Sequence, residues 1–357
     1  MILHDYIEQT DGGSRLCLEL ARGLNTSLLC GFVRSKHPFL QDNDLIDTLY
    51  SSLPIPLIRQ YMLAQAFKHK TGAYLKNKSY AIYSGSYAPL AIHNALNCKN
   101  ILYCHTPPRF LYDQEDTFMQ MAPKPLRFLL KSFCSWLKPQ YEQAVQKMDI
   151  IIANSKAVQE RINKYLYLQS IVINPPCDID KYYYKPSQGY FLSMVRLDSL
   201  KRVHLLIEAF KTLPNAKLIV TSSGAEENSL KSLAKDAPNI TFTGMLSEEK
   251  RLELLANCLA TICIAKSEDF GMCAVESLAS GKPVIIAKDG GLQEIIEHEE
   301  TGLCLSANPT VHEIKTNIIN MDIKINKEAA SMRLACQEHA RQYDAQKFIK
   351  KIKNIIG

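Results

Sequence analysis

Glu268 and Glu276 stand eight residues apart in the segment KSEDFGMCAVESLASGKPVII, residues 266–286. An ionised carboxylate only accepts hydrogen bonds and can take two at once, which suits the vicinal hydroxyls of a ribose or a hexose. The segment reads as a loop to Gly271, then a short helix that carries Glu276 and stops at Gly281, ahead of Pro283. Such a helix start, at the carboxyl end of a parallel strand, turns the amides of Gly271 and Met272 toward an anion. Taken singly, each glutamate reads as well as a solvated surface charge; together with the helix start they outline a site for an anionic, hydroxyl-bearing ligand. Two further features lie in the first half. Gly12-Gly13 follows Asp11 and opens a helical run, a turn that lets backbone amides approach a phosphate or a sugar. His105 closes a buried strand in ILYCHTPPRFLYD, so it projects at the carboxyl edge of its sheet, toward a cleft between domains.

These residues need a scaffold, and the chain alternates short apolar runs with amphipathic ones. Strands are expected at 27–33, 80–84, 100–104, 149–153 and 170–174, then at 190–195, 216–221, 239–243, 259–265 and 283–287. Most are continuously apolar, as strands covered on both faces are. Between them lie helices such as 155–166, where Val158, Ile162, Tyr165 and Leu166 form one face. The βαβα order predicts doubly wound parallel sheets, and 357 residues predict two of them, divided within 175–188 where Pro175, Pro176 and Pro186 cluster. Hydrophobic residues make up 46% and charged residues 22%, an ordinary globular balance, and a net charge of +6 is too small to argue for nucleic acid. The 11 cysteines include no CxxC pair and several lie in strands, which predicts buried thiols in a reducing compartment rather than disulfides or zinc. Neither a signal peptide nor a membrane-spanning apolar run is read, so a cytoplasmic location is expected.

The stretch SEDFGMCAVESLASGKPVI resembles the E-x7-E signature of the family 4 retaining glycosyltransferases, which have the GT-B fold. SMVRLDSLKRVHLLIEAF (193–210), DGGLQEIIEHEETGLCL (289–305) and DIIIANSKAVQERI (149–162) resemble further blocks of that family, in the right order. The resemblance implies an α/β chain of two Rossmann-like, doubly wound parallel-sheet domains facing a cleft. They would be an acceptor-side domain at 1–176 and a nucleotide-sugar domain at 177–341, with a helix at 342–357 returning to the first. It implies that Glu276 binds the donor ribose, Glu268 the donor sugar, and Arg196 and Lys201 the diphosphate. Two fixed cations can stabilise the charge that a departing diphosphate gains without a metal, so no metal and no other cofactor is expected. A basic pair, Lys201 and Arg202, at a helix start opposes the helix dipole, which favours a functional reason for it. His105 would contact the sugar near the reacting carbon, and Gly12 and Gly13 would face the diphosphate and the acceptor. Phe270, Gly271, Met272 and Met245 join the expected donor-binding set. His105, Arg196, Lys201 and Glu268 form the expected catalytic set. Two places depart from the family: the first strand is short, and the loop 222–228 lacks the usual glycine pattern.

The run HTPPRFLYD (105–113) resembles mannosyltransferases that use GDP-mannose in O-antigen and related surface polysaccharide synthesis. A hexose donor of that kind and a saccharide or lipid-linked acceptor are the expectation, with a UDP-sugar donor and a non-catalytic nucleotide-sugar binding protein as alternatives. Residues 118–147 carry Lys124, Arg127, Lys131, Lys138 and Lys147 against Glu142, with leucines and Phe133 at helical spacing. They read either as a core helix with a solvated basic face or as a surface that docks on anionic lipid, which would make the protein peripheral on the inner membrane face. No GxGxxG follows an early strand and no GxxxxGK[ST] occurs, which argues against a dinucleotide dehydrogenase and a P-loop enzyme. A nucleotide-sugar epimerase fits the E-x7-E block less well than a transferase.

Overall fold

The computed structural model describes residues 1–8, 11–34, 37–50, 55–95 and 97–357. It divides into two compact units, Met1–Pro175 with Phe348–Gly357, and Pro176–Lys347.

The first unit holds a parallel sheet of seven strands in the order β3-β2-β1-β4-β5-β6-β7. They are β1 (Ile2–His4), β2 (Leu28–Cys30), β3 (Ile46–Thr48), β4 (Tyr80–Ser84), β5 (Lys99–Cys104), β6 (Ile150–Ala153) and β7 (Ile171–Val172). Successive side chains of a strand leave opposite faces. Leu3, Tyr83, Leu102 and Ala153 accordingly enter one core cluster, and Ile2, Ile82, Ile101, Tyr103 and Ile152 enter another. Phe348 and Ile352 of the final helix, Ala345–Ile356, belong to the second of these clusters, and Phe348 sets its ring edge-on to Tyr103.

The second unit repeats the plan with six parallel strands, β10-β9-β8-β11-β12-β13. They are β8 (Tyr190–Ser193), β9 (Lys217–Thr221), β10 (Ile240–Gly244), β11 (Ala260–Cys263), β12 (Val284–Ala287) and β13 (Gly302–Leu305). One core cluster, from Cys177 to Tyr343, fills this unit. Both sheets are therefore Rossmann-like, and the fold class is the expected one. In each sheet the chain leaves the middle strand to one side and later returns to its other side. The switch points lie between β1 and β4 and between β8 and β11, and open α/β sheets bind ligands outside the carboxyl ends of such strands.

Two expectations need correction. The helix at 155–166 runs Lys156–Leu166 with Ser155 as its N-cap, as its pattern predicts. The stretch 118–147, however, is not one helix. It breaks into Glu115–Met121, a single turn at Lys124–Leu126, and Arg127–Gln146. Pro123 and Pro125 lack the N–H groups that would carry a helix across. Beyond the ten ranges, the sheets also contain the short first strand β1 that the resemblance implies and two strands that were not expected, β3 and β13; β3 has three residues and a largely exposed face, so no apolar run announces it.

Candidate active site

In the second unit, the loops that follow β8 and β11 meet at the switch point, where the Lys266 amide donates to the Leu200 carbonyl at 2.7 Å. Lys201 and Glu268 face each other across that junction. Nζ lies 2.6 Å from Oε2, with the two side chains 19% and 16% exposed. Burial lowers the affinity of Lys201 for its proton, but the Glu268 carboxylate outweighs it and holds the ammonium well above the ordinary lysine range. The site thus carries a fixed cation.

Arg196 turns elsewhere. Its Nε donates to Asp198 at 2.7 Å, and its side chain is 64% exposed. Asp198 also caps the turn Ser199–Lys201 by accepting from the Leu200 amide. Arg202, the other half of the basic pair for which the sequence favours a functional reason, is an internal clamp. It sits in left-handed backbone at φ 54° and donates to the Ala307 carbonyl at 2.8 Å, with Asp289 at 3.2 Å and Asn308 at 3.3 Å.

The helix Met272–Ala279 begins at Gly271, which has φ 108° and no side-chain cap. A Cβ there would stand 2.5 Å from Leu292 Cδ2, so only glycine fits, and the first-turn amides are not covered by a capping side chain. Glu276, one turn further, is 8% exposed and meets Arg251 Nη1 at 2.7 Å. Arg251 also donates two bonds of 3.0 Å to Glu248. Burial opposes the guanidinium charge, and Glu276 more than restores it. Arg251 fixes the direction of the Glu276 carboxylate. Phe270, in the expected donor-binding set, keeps its side chain inside the unit. Its ring is 3% exposed and packs edge-on against Tyr343 at 5.6 Å, so this residue can offer a ligand little but backbone. Met245, just past β10, is 60% exposed, and Met272 is partly buried.

In the first unit, His4 and Ser84 end β1 and β4 at the other switch point, and His105 follows β5. Asp11 caps the helix Gly12–Leu24, its carboxylate accepting from the Ser14 amide at 2.9 Å and from the Ser14 hydroxyl at 2.8 Å. A hydrogen-bonded chain continues from Ser14 to His4 Nε2 at 3.4 Å, from His4 Nδ1 to Ser84 Oγ at 3.2 Å, and from Ser84 Oγ to His105 Nε2 at 2.8 Å. A Cβ on Gly13 would lie 3.5 Å from His105 Nε2, so the glycine turn runs against this imidazole. Burial disfavours a charged His4, but Cys17, Asp5 and Asp11 reverse this and raise it to about 9. Burial likewise disfavours a Cys17 thiolate, yet His4 and His105 bring that thiol down to about 6. Asp5 is buried and accepts three backbone amides, from Ser86, Tyr87 and Ala88.

Of the residues singled out in the sequence, Lys201 is thus brought onto Glu268, and His105 onto Gly13. Gly271 and Met272 form the helix start next to them in sequence, Glu276 has its own partner, and Arg196 faces outward. Sequence reasoning missed Arg251, His4, Ser14 and Ser84. Arg251 reads as half of an ordinary i,i+3 pair with Glu248, and nothing local reveals its reach to Glu276, 25 residues on.

Residues 179–343 match the family described as glycosyl transferases group 1. An uncharacterized glycosyltransferase of Methanocaldococcus jannaschii is 26% identical over 204 residues, which cover 57% of this chain and 56% of that protein. The alpha-1,3/1,6-mannosyltransferase ALG2 of Dictyostelium discoideum is 25% identical over 280 residues, covering 65% and 64%. The chain thus spans less than two thirds of the length of either relative. Among solved structures, Anabaena Alr3699/HepE in complex with UDP and glucose superposes with a TM-score of 0.76 at 20% identity, over 99% of this chain and 98% of that one. The fold is that of GT-B glycosyltransferases. The second unit carries a glycosyl transferases group 1 domain.

Proposed function

We propose that the protein is a retaining glycosyltransferase that moves a hexose from a nucleotide diphosphate to a saccharide or lipid-linked acceptor. The single observation that carries this reading is the Lys201–Glu268 pair set beside the uncapped helix start at Gly271, inside the group 1 domain. A diphosphate gains negative charge as the glycosidic bond breaks. A lysine held cationic by Glu268 and the amides of a helix start stabilise that charge with little reorganisation. Arg196, at the surface and bonded to Asp198, adds a planar donor fork on leaving that partner once the diphosphate arrives. Glu276, aimed by Arg251, accepts from the ribose hydroxyls. Glu268 accepts from the sugar, and His105 meets the sugar near its reacting carbon. The acceptor hydroxyl approaches the face from which the diphosphate leaves and passes its proton to a leaving-group oxygen. Positive charge comes from protein groups, so no metal is needed.

For the donor we propose GDP-mannose, in the synthesis of surface polysaccharide or lipopolysaccharide. The HTPPRFLYD run and the match to a mannosyltransferase support mannose. The structural neighbour with UDP and glucose bound favours a second reading, a UDP-sugar donor. A panel of GDP-mannose, UDP-glucose, UDP-GlcNAc and UDP-galactose, scored by thermal shift and by hydrolysis, separates the two. GDP-mannose alone should stabilise the chain and be turned over. A response to UDP-sugars alone moves the assignment to the second reading, and a shift without turnover of any donor supports a binding protein instead.

The acceptor side of this proposal rests on the first unit. Phe118, Met121, Leu126, Phe128 and Leu129 are exposed, with Lys124 and Lys131 exposed among them. Ile58, Tyr61 and Met62 of the helix Pro56–Lys70 are exposed as well, and Tyr61 lies 5.2 Å from Trp136 of the helix Arg127–Gln146. No helix among the described residues is long and apolar enough to cross a membrane. An apolar face edged with lysines suits the surface of an anionic bilayer, where a lipid-linked acceptor resides. Flotation with liposomes should need anionic lipid, and charge reversal at Lys124, Arg127 and Lys131 should abolish it.

A further inference from the structure

The chain of side chains that ends on His105 has a defined direction, because every member but one has its protons accounted for. Asp11, as a carboxylate, can only accept, so the Ser14 hydroxyl spends its hydrogen on Asp11 at 2.8 Å. Toward His4 the Ser14 oxygen can then only accept, and His4 Nε2 must carry a hydrogen. On its other side, His4 Nδ1 lies 3.2 Å from the Ser84 carbonyl, which can also only accept, and 3.2 Å from the Ser84 hydroxyl oxygen. Both ring nitrogens of His4 are therefore donors, which makes it an imidazolium. Ser84 is fully buried, so its hydroxyl hydrogen needs a protein acceptor. With a His4 proton directed at its oxygen, the acceptor left to it is His105 Nε2, at 2.8 Å.

We infer that His4 and Ser84 are positioning residues: the chain Asp11–Ser14–His4–Ser84 holds His105 in the tautomer with its proton on Nδ1, so that His105 presents Nδ1–H as a donor. This deepens the proposed function and rests on the reading of His105 as the group that meets the donor sugar. A neutral imidazole with a committed Nε2 cannot take a proton from the acceptor at that nitrogen. It serves as a hydrogen-bond donor to a sugar oxygen rather than as a general base. The same chain places a buried positive charge behind the glycine turn at Gly12 and Gly13. The charged groups that surround His4 are Asp5 on its own strand, Asp11 at the helix cap and Cys17 on the helix that covers it. Cys17 also hydrogen-bonds to both His4 and His105 and is a competing acceptor for a His105 proton.

The test is long-range proton–nitrogen correlation NMR on the full chain labelled with 15N-histidine, read at pH 7. His4 is expected to show two protonated ring nitrogens, and His105 a protonated Nδ1 with an unprotonated Nε2. Ser84→Ala should turn His105 into a mixture of tautomers and lower kcat about tenfold with little change in KM, the scale of one lost hydrogen bond. Ser84→Thr, which keeps the hydroxyl, should restore both. Cys17→Ala should leave the His105 tautomer as it is. A protonated Nε2 on His105 in the wild-type chain, a singly protonated His4, or a tautomer that follows Cys17 rather than Ser84 overturns the inference. The wild-type spectrum decides this even where a variant does not fold. Absence of transfer from every donor would instead count against the proposed function and leave the tautomer assignment standing.

Discussion

Gly290 touches no ligand in this account, yet replacing it by alanine should disable the second-unit site. The residue has φ 65° and ψ −144°, a region that is essentially glycine's alone. A Cβ built there falls 2.0 Å from the Glu268 carbonyl oxygen and 2.7 Å from its amide nitrogen, whereas ordinary contact begins at 3.4 Å. Backbone must therefore shift by more than an ångström, and the backbone in question carries the carboxylate that holds Lys201 at 2.6 Å. The backbone strain costs about 1–3 kcal/mol, and forced repacking costs about the same again. The bond from the Gly291 amide to the Glu268 carbonyl, 2.9 Å long, is lost as well, at about 1 kcal/mol. A total of roughly 5 kcal/mol corresponds to a fall in Tm of about 10–20 °C for a unit of this size. Calorimetry of Gly290→Ala, paired with titration of a nucleoside diphosphate, reads both consequences. Affinity should fall at least about tenfold, the worth of one charge-assisted contact. A variant that keeps the wild-type Tm and the wild-type affinity would refute the placement of Glu268 by this loop.

Lys201→Ala and Glu268→Ala should each lower turnover by more than about a hundredfold, the loss expected of a transition-state electrostatic contact, and steady-state assays with saturating donor check this. Arg251→Ala, distant in sequence from both, should raise the donor Kd about tenfold by releasing the Glu276 carboxylate; equal affinity in isothermal titration would detach Arg251 from the site. Prolonged treatment with a chelator should leave the transfer rate unchanged, and full inhibition reversed by a divalent cation would contradict the metal-free scheme. Stability should be nearly flat from pH 6.5 to 9 as far as His4 and Cys17 govern it. His4, raised from 6.5 to about 9, contributes stability that is complete below pH 6.5 and lost as pH climbs through 9. Cys17, lowered from 9 to about 6, contributes stability that is complete above pH 9 and lost as pH falls through 6. Folded and unfolded states hold one proton on the pair between those limits. Cys17 is also the largest of the groups that raise His4, so Cys17→Ala removes the Cys17 part and most of the His4 part together, and urea midpoints should stay nearly flat across that range.

Much of the scaffold was readable because parallel strands covered on both faces have to be apolar throughout. Tyr80–Ser84 begins and ends where its pattern does. The run 27–33 is apolar over a longer stretch than the strand Leu28–Cys30, because Gly31 leaves the ladder to bond the Asp5 carbonyl. Pattern failed where tertiary pairing alone makes a strand, as at Ile46–Thr48. It failed again where proline interrupts a helical spacing, as at Pro123 and Pro125. For the candidate site, sequence singled out residues that stand at helix starts and strand ends, where the chain geometry is local. Lys201 and Glu268 are 67 positions apart, and their contact follows from two loops leaving neighbouring strands. His4 and Ser84, 80 positions apart, meet for the same reason at the other sheet. Such contacts belong to the topology, and a serine at a strand end carries no local mark of the histidine it will bond. Arg202 shows the converse error. Two adjacent basic residues look alike in sequence, and only the left-handed turn at Arg202 sends one inward to Asp289 while Lys201 faces Glu268.

The central claim is that Lys201 and the helix start at Gly271 receive a pyrophosphate. A crystal structure of the full chain with a bound nucleoside diphosphate tests it most directly. Phosphate oxygens should lie within hydrogen-bond distance of Lys201 and the amides at Gly271 and Met272, with the ribose hydroxyls on Glu276. A diphosphate seated elsewhere, with Lys201 still closed on Glu268, would contradict the account.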